Sequence, residues 1–203
     1  MAKDYSEDLL IQKSTAELLE QELGWKSVYA FDNEVLGEQG TLGRKTQSEV
    51  VLMRHLRMAL KRLNPWMTDK QLTEAIERMT SYMSSQTLMQ INEEKYGYLR
   101  DGVPVTRLKP NGETELVRAK VMDFANVDNN EFIAVRELWI KGPIHKRRAD
   151  VVCFVNGLPV IFIELKNHDQ DIQNAYTDNY RDYLDTIPHL FHHNAMIMLS
   201  NGM

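Results

Sequence analysis

The stretch "KRRADVVCFVNGLPVIFIELKN", Lys146–Asn167, decides the fold of this chain. Two apolar blocks flank Asn156-Gly157, a dipeptide that favours a β-hairpin because both residues tolerate positive φ. The blocks are apolar on both strand faces, which is typical of central strands that are covered on both sides of a sheet. Charged residues nevertheless stand at the strand ends, namely Asp150, Glu164 and Lys166.

The length of the hairpin loop determines whether these charges meet. With a two-residue loop and regular pairing, Asp150 and Glu164 point to opposite faces, because neighbouring residues of a strand alternate. A three-residue loop ending at Gly157, or a β-bulge further along, places them on one face. Glu164 and Lys166 share a face by their spacing alone. The sequence leaves loop and bulge open, and either one gathers the three charges at one end of a sheet.

Two carboxylates at a buried sheet end raise each other's pKa unless a cation joins them. Oxygen ligands favour Mg²⁺ or Mn²⁺, and a nearby lysine stabilises developing negative charge. Asp150, Glu164 and Lys166 therefore suit metal-dependent hydrolysis of a phosphodiester. The alternative is that Asp150 ends a turn, while Glu164 and Lys166 form a solvated strand end.

Composition limits the class of protein. The 203 residues are 43% hydrophobic, which predicts one compact domain over 1–203, or one domain with a helical appendage. The net charge of −5 argues against a general nucleic-acid coat protein but leaves local DNA contact open. The single cysteine, Cys153, lies in an apolar block, which predicts a core thiol and a cytoplasmic protein. No apolar run has transmembrane length, so no membrane partner is expected. His189 and His192 are interpreted as surface polar residues, not as a metal site.

Hydrophobic periodicity predicts a mixed α/β domain, with a helical subregion at about 46–99 and a strand-rich part at about 103–203. The latter carries Asp150, Glu164 and Lys166 and would be the catalytic core if these residues form a site. Capping boxes at Thr46-x-x-Glu49 and Thr68-x-x-Gln71 predict two helix starts, and Asn64-Pro65 predicts the end of the first of these helices. The remaining predicted helices cover 7–23, 87–99 and 170–184. Besides the hairpin, strands are predicted at 25–31, 103–108, 115–122, 131–140 and 194–200.

Asp150, thirteen intervening residues and Glu164-Leu165-Lys166 together resemble the PD-(D/E)xK nuclease motif. The wording "ADVVCFVNGLPVIFIELKN" resembles, more narrowly, the N-terminal endonuclease domain of type I restriction enzyme R subunits. The similarity extends over the chain through "ELLEQELGW", "LRMALKRLNP", "LRDGVPV", "RDYLDTIPHLF" and "AMIMLSNG". The resemblance implies a restriction-endonuclease-like mixed sheet flanked by helices, and Mg²⁺-dependent cleavage of double-stranded DNA, with Mn²⁺ as a substitute.

By this resemblance Asp150 and Glu164 match the metal-binding acids, and Lys166 matches the catalytic lysine. Ala149 stands where the name of the motif has proline, a residue without a chemical role there. The family's QxxxY motif is replaced by Asn179-x-x-x-Tyr183.

These two positions are expected to share one helix face with Ile172 and Tyr176, because they are four residues apart. Asparagine is shorter than glutamine, so the role of Asn179 stays open between a site residue and a polar residue on a packed helix. Some relatives also use an acidic residue on the first helix of the domain. The corresponding position in this chain is Gln12 or Glu17, and the sequence does not decide between them.

A basic segment precedes Asp150, and it is interpreted as either a phosphate contact or a solvated loop. Its members are Lys141, His145, Lys146, Arg147 and Arg148. The resemblance implies methylation and specificity subunits as partners, and it assigns sequence choice to the latter.

ATP is expected to act only through a motor outside this chain, because no G-x-x-x-x-G-K-[ST] loop occurs in the 203 residues. The chain is therefore interpreted as an N-terminal fragment of a longer subunit. The alternatives are another PD-(D/E)xK nuclease, for repair or stand-alone restriction, and a non-catalytic DNA-binding or assembly module.

Overall fold

The structure, a computed structural model, describes residues 7–166 and 171–201, with only the backbone described for 7–11. The helices are α1 (Glu7–Leu23), α2 (Met53–Leu63), α3 (Asp69–Thr80), α4 (Leu88–Asp101) and α5 (172–186). The strands are β1 (Lys26–Tyr29), β2 (Val103–Leu108), β3 (Thr114–Ala119), β4 (Phe132–Lys141), β5 (Lys146–Val155), β6 (Leu158–Leu165) and β7 (Met196–Ser200).

Five strands form one mixed sheet in the order β1-β4-β5-β6-β7. The central pairs β4–β5 and β5–β6 are antiparallel, whereas β1 pairs parallel with β4 and β7 pairs parallel with β6. Strands β2 and β3 form a separate antiparallel hairpin. This sheet, flanked by helices, confirms the predicted α/β class and fits a restriction-endonuclease-like fold. None of the helices within the described residues is long and apolar enough to cross a membrane.

The hairpin strands β5 and β6 are buried on both faces, as predicted. One face contributes Val152, Phe154 and Phe162 to the main core, where α2, α3 and α5 also pack. The other face contributes Val151, Cys153, Ile163 and Leu165 to a smaller core beneath α1. Burying each such side chain stabilises the fold by about 1.5–3 kcal/mol. Cys153 is the expected core thiol, and burial raises its pKa to about 12.

The turn between β5 and β6 has two residues in the left-handed region, Asn156 at φ 51° and Gly157 at φ 82°. A side chain at Gly157 would place its Cβ 2.5 Å from the carbonyl oxygen of Leu52, so only glycine fits between the hairpin and α2. Asn156 is fully buried, and its side chain donates to the Val121 carbonyl at 2.8 Å. The turn thus anchors the hairpin to the helical part of the chain.

The predicted helix start at Thr46-x-x-Glu49 is wrong. Helix α2 begins at Met53, and the Glu49 carboxylate instead accepts from the Lys45 N–H at 2.9 Å. The buried guanidinium of Arg44 binds the Glu49 carbonyl at 3.0 Å, so tertiary contacts hold this segment in a non-helical path. The capping box at Thr68 and Gln71 is confirmed, and the helix that it begins, α3, ends at Thr80.

The interpretation of His189 and His192 as surface residues is also wrong. His192 and the adjacent His193 are buried, and His189 is partly buried. Burial lowers the pKa of all three imidazoles, to about 4 for His192 and His193. The ring of His192 packs edge-on against Tyr82 at 4.6 Å between centroids.

Candidate active site

Strands β5 and β6 separate at the end where the predicted acids stand. Their pairing begins as Val155 with Leu158, shifts by one residue near Phe154, and ends as Val151 with Ile163. A two-residue turn and a β-bulge therefore occur together, which resolves the alternatives that the sequence left open. The register carried one residue further places Asp150 across from Glu164, on one face of the sheet.

Beyond that point a side chain replaces the backbone ladder. The Leu165 N–H donates to Oδ2 of Asp150 at 2.8 Å, although continued pairing would give it a carbonyl of β5. β6 instead continues along β7, where Leu165 pairs with Ser200. The half-buried Asp150 carboxylate is thus fixed at the opening between the two strands.

Glu164 is 1% exposed, and its Oε2 has no hydrogen-bond partner within the part of the chain that the structure describes. Burial, with the nearby charge of Asp150 as the second cause, raises the pKa of Glu164 to about 9. The side-chain amide of Asn179 donates to its Oε1. A buried carboxyl with a raised pKa beside a second acid is typical of functional sites.

Asn179 also binds the third predicted residue. The Lys166 ammonium donates to Oδ1 of Asn179 at 2.6 Å, so one amide joins the lysine to Glu164. Lys166 is two residues from Glu164 and lies on the same face of the strand end. The amide therefore holds the lysine beside the two acids.

Helix α5 presents Asn179 through a π-helical turn. It consists of Ile172–Asn174 in α, Ala175–Tyr180 in π and Arg181–Thr186 in α conformation. A π-helical turn is wider than an α-helical turn, so its side chains point in different directions from those of a regular α-helix. Such turns are common at functional sites. Asn179 and Tyr183 face the sheet, but Ile172 and Tyr176 are 43% and 50% exposed. Ile172 and Tyr176 lie beside Leu199 of β7, at the edge of the sheet.

Tyr183 closes the site from the core side. Its hydroxyl donates to the Arg148 carbonyl at 2.9 Å, and its ring packs edge-on against Phe162. Burial, with the charges of Glu164 and Asp150, raises the pKa of Tyr183, so the phenol stays protonated. Its contacts buttress β5 immediately before Asp150.

Helix α1 reaches the site through Gln12. This buried side chain donates to Oδ1 of Asp150 at 3.0 Å. Glu17, the other residue that the sequence left unassigned, is half exposed and pairs with Lys13 at 3.5 Å. Of these two positions on α1, Gln12 is the one that contacts an acid of the site.

The five basic residues before Asp150 do not form one surface. Arg147 makes a two-pronged ion pair with Asp182 of α5, with one contact at 2.8 Å. Arg148 pairs with Glu137 at 2.6 Å, and the Lys146 ammonium lies 4.1 Å from the centre of the Trp139 ring.

Lys141 and Lys146 are register partners on β4 and β5, and His145 lies in the exposed loop between these strands. Both arginines are thus already paired within the chain, one on each side of β5.

Glu137 is a buried acid that sequence reasoning missed. It interrupts β4 with φ 56°, between the pairs Arg136–Val151 and Leu138–Ala149, and so stands across from Asp150. A non-glycine residue in this conformation stores strain, which often occurs next to functional sites. No local pattern in "EFIAVRELWI" predicts the interruption, because the partner of Glu137, the exposed Arg148, comes from another strand.

The residues at the strand ends fit a divalent cation. Asp150 and Glu164 offer oxygen ligands, and the unpartnered buried Oε2 of Glu164 lacks the counter-charge that a cation would supply. Across 7–166 and 171–201, no group of three or more His, Cys, Asp or Glu side chains is arranged to hold a metal. Mg²⁺ usually binds one or two carboxylates and keeps several waters, so two acids suffice for it but not for an all-protein cage.

A five-stranded mixed sheet with two acids and a lysine at one end is consistent with the restriction-endonuclease-like class of fold. The family model described as "Type I restriction enzyme R protein N terminus" matches residues 4–203, so the chain belongs to this family.

Among curated relatives, the type I restriction enzyme HindI endonuclease subunit of Haemophilus influenzae is 33% identical over 187 residues, 90% of this chain and 17% of the relative. The putative MjaIXP endonuclease subunit of Methanocaldococcus jannaschii is 25% identical over 207 residues, 100% of this chain and 19% of the relative. The SauMSSORF170P endonuclease subunit of Staphylococcus aureus is 26% identical over 191 residues, 89% of this chain and 19% of the relative. The chain therefore spans less than a fifth of the length of these relatives.

Proposed function

We propose that this chain is the endonuclease domain of a type I restriction enzyme and hydrolyses phosphodiester bonds of double-stranded DNA with Mg²⁺ or Mn²⁺. The observation that carries the proposal is the placement of Asp150 across from Glu164 where β5 and β6 separate, with Lys166 joined to Glu164 through Asn179. Membership of the family, and the naming of its relatives as endonuclease subunits, supports a nuclease role.

Each residue has a separate part in this proposal. Asp150 and Glu164 would hold the cation, with Gln12 and the Leu165 N–H orienting the first carboxylate. A bound divalent cation supplies acidified water and stabilises negative charge on the phosphate. The Lys166 ammonium adds a positive charge and a hydrogen-bond donor where charge develops in the transition state.

The remaining functions of the enzyme are proposed to lie outside this chain. ATP-driven translocation would belong to the rest of the subunit, and sequence choice to a specificity subunit that assembles with a methylation subunit. Within the described residues, Lys141 and Lys146 are the permanent charges of the basic segment that form no ion pair, and we propose that they contact phosphates. The proposed location is the cytoplasm, where such an enzyme meets DNA.

The test uses Asp150→Ala, Glu164→Ala and Lys166→Ala in the full-length subunit, assembled with its partners. All three should lose plasmid cleavage in Mg²⁺, by roughly 10²-fold or more for the lysine, while ATPase activity is retained. Calorimetric titration of the 203-residue chain with Mn²⁺ should show binding lost in the two acid variants and kept in Lys166→Ala, because lysine is not a ligand.

The matched control is Glu113→Ala, which removes an exposed carboxylate from the turn of the separate β2–β3 hairpin. It should cut and bind Mn²⁺ like the wild type. Substantial cleavage by Asp150→Ala or Glu164→Ala would refute the metal site. Normal Mn²⁺ binding by the chain without any cleavage by the assembled wild type would favour a non-catalytic module.

A further inference from the structure

Strand β7 is an apolar strand at the edge of the main sheet. Within the described residues it pairs only with β6. Its side chains are exposed on both faces of the sheet, with Met196 at 52%, Ile197 at 37% and Met198 at 46%. A groove of about 490 Å³ lies between β7 and α5, lined by Ile172, Gln173, Tyr176, Thr177 and Leu199.

The opposite edge of the same sheet is protected. Strand β1 has only four residues and begins at Lys26, whose ammonium pairs with Glu131 at 2.7 Å. Short length and edge lysines are devices that prevent unwanted strand pairing. Strand β7 reads "MIMLS" and has no charge, proline or bulge of its own. Left open, such an edge is a pairing and aggregation site, so its composition indicates that it is covered in the working protein.

We propose that the outer edge of β7 receives a further β-strand from the same subunit, from a segment C-terminal to the 203 residues. The matching family model describes an N terminus, and the matched part is only 17% and 19% of the length of two relatives. A covalently connected segment has a high effective concentration at this edge, which favours it over a separate chain. Strand addition would pair with the outer backbone edge of β7 and bury its exposed side chains, Met196, Ile197 and Met198.

The groove specifies the chemistry of the added segment. Its walls combine the apolar Ile172 and Leu199 with the ring of Tyr176, and it contains no charged side chain. The segment that covers it should therefore carry alternating apolar residues, one set directed into the groove and the other over the opposite face of β7.

Strand β7 also carries the backbone of the site. Leu199 is the register partner of Glu164, and the Ser200 carbonyl accepts from the Lys166 N–H at 2.8 Å. A strand added outside β7 would hold this register and hence the spacing of Glu164 and Lys166. The docking proposal does not depend on catalysis, since the edge would be covered whether or not the site cuts DNA.

The experiment compares amide hydrogen exchange of residues 195–201 in the full-length subunit and in the dilute 203-residue chain. Amides of β7 that face away from β6 should exchange at least about 100-fold more slowly in the full-length subunit. Equal exchange in the two proteins would overturn the proposal. Protection that grows with concentration of the 203-residue chain would assign the edge to a second copy, and protection only after adding the other subunits would assign it to them; either result refutes the proposal.

A variant and a matched control sharpen this comparison. Met196→Lys combined with Met198→Lys adds two charges to one face of β7, and in the full-length subunit it should return exchange to the level of the 203-residue chain. Leu108→Lys combined with Leu116→Lys changes side chains 69% and 70% exposed on the separate β2–β3 hairpin, and it should change nothing at β7. If the β7 variant fails to fold, the comparison of the two wild-type proteins still decides the question.

Discussion

The carboxylate of Asp150 accepts the backbone N–H of Leu165 at 2.8 Å, in the place where a strand carbonyl would otherwise stand. This contact replaces the backbone ladder between β5 and β6 at one end of the hairpin, where the buried Glu164 stands across from Asp150. The energetic consequence is a pair of acids that favours a proton or a cation between them.

Glu164→Gln is expected to stabilise the metal-free chain at alkaline pH by about 1–3 kcal/mol. Burial and the charge of Asp150 raise the folded-state pKa of Glu164 to about 9, from the ordinary value of 4.5. Between these values the unfolded chain has released a proton that the folded chain keeps, so the free energy of unfolding falls as the pH rises through this window. Glutamine does not titrate, so the Glu164→Gln variant does not lose this stability as the pH rises.

Urea unfolding of both proteins at pH 5 and pH 8.5, without metal, measures this difference. The exposed Glu113→Gln serves as the control and should follow the wild type at both pH values. A variant that is no more stable than the wild type at pH 8.5 would mean that Glu164 is ionised in the folded chain.

Asn179→Ala should reduce DNA cleavage by the assembled enzyme by about 10–100-fold while the fold is kept. The amide joins Lys166 to Glu164, so its loss frees the lysine from its position beside the acids. Asn179→Gln should recover part of the activity, because the longer amide can still bind both groups. Single-turnover cleavage rates check this, with Asp178→Ala as the exposed control on the same helix. If Asn179→Ala cleaves DNA at the wild-type rate, Asn179 does not position Lys166 and serves only in packing.

The buried histidines should make the chain sensitive to mild acid. Burial lowers the folded-state pKa of His193 to about 4, below the ordinary 6.5, so only the unfolded chain takes up a proton between these values. The contribution of this group to stability is therefore complete above pH 6.5 and is lost as the pH falls toward 4. His193→Gln should remove about 2 kcal/mol of the difference in unfolding free energy between pH 7.5 and pH 5.

Urea titrations at these two pH values provide the measurement. Glutamine can still donate to the Met79 carbonyl that His193 Nε2 contacts at 2.8 Å. His145→Gln, in an exposed loop, is the control and should leave the pH dependence unchanged. An unaltered pH dependence in His193→Gln would assign the acid sensitivity to other groups.

The 203-residue chain alone should bind DNA weakly, with a dissociation constant of roughly 10⁻⁴–10⁻⁶ M at physiological salt. Its net charge is −5, and Arg147 and Arg148 of the basic segment are already ion-paired. Each phosphate contact contributes about 0.9 to the log–log salt slope, so a magnitude below about 3.6 is expected. Asp182→Asn should steepen it by about 0.9, because it frees Arg147.

Fluorescence titrations over a salt series measure the slope, with the exposed Asp185→Asn as the control. Nanomolar binding with a slope well beyond four would indicate a larger DNA surface than the basic segment.

The sequence by itself determined the features that depend on neighbouring residues. Asn156-Gly157 specifies a tight turn, because few other residue pairs accept two consecutive positive φ angles. The capping box of Thr68 and Gln71 begins α3 through hydrogen bonds between residues only three positions apart. The apolar blocks around the turn identified the central strands, and the spacing of Glu164 and Lys166 placed both on one face.

Only the tertiary structure decided what depends on distant contacts. The bulge that brings Asp150 across from Glu164, the left-handed conformation of Glu137 and the approach of Gln12 each depend on residues from other elements. Thr46 begins no helix because buried Arg44 binds this segment elsewhere, a contact that local propensity does not encode. The hairpin could therefore be predicted from neighbouring residues. The geometry of the site instead arises from packing between segments that are distant in sequence, such as Gln12 and Asp150, which lie more than a hundred residues apart.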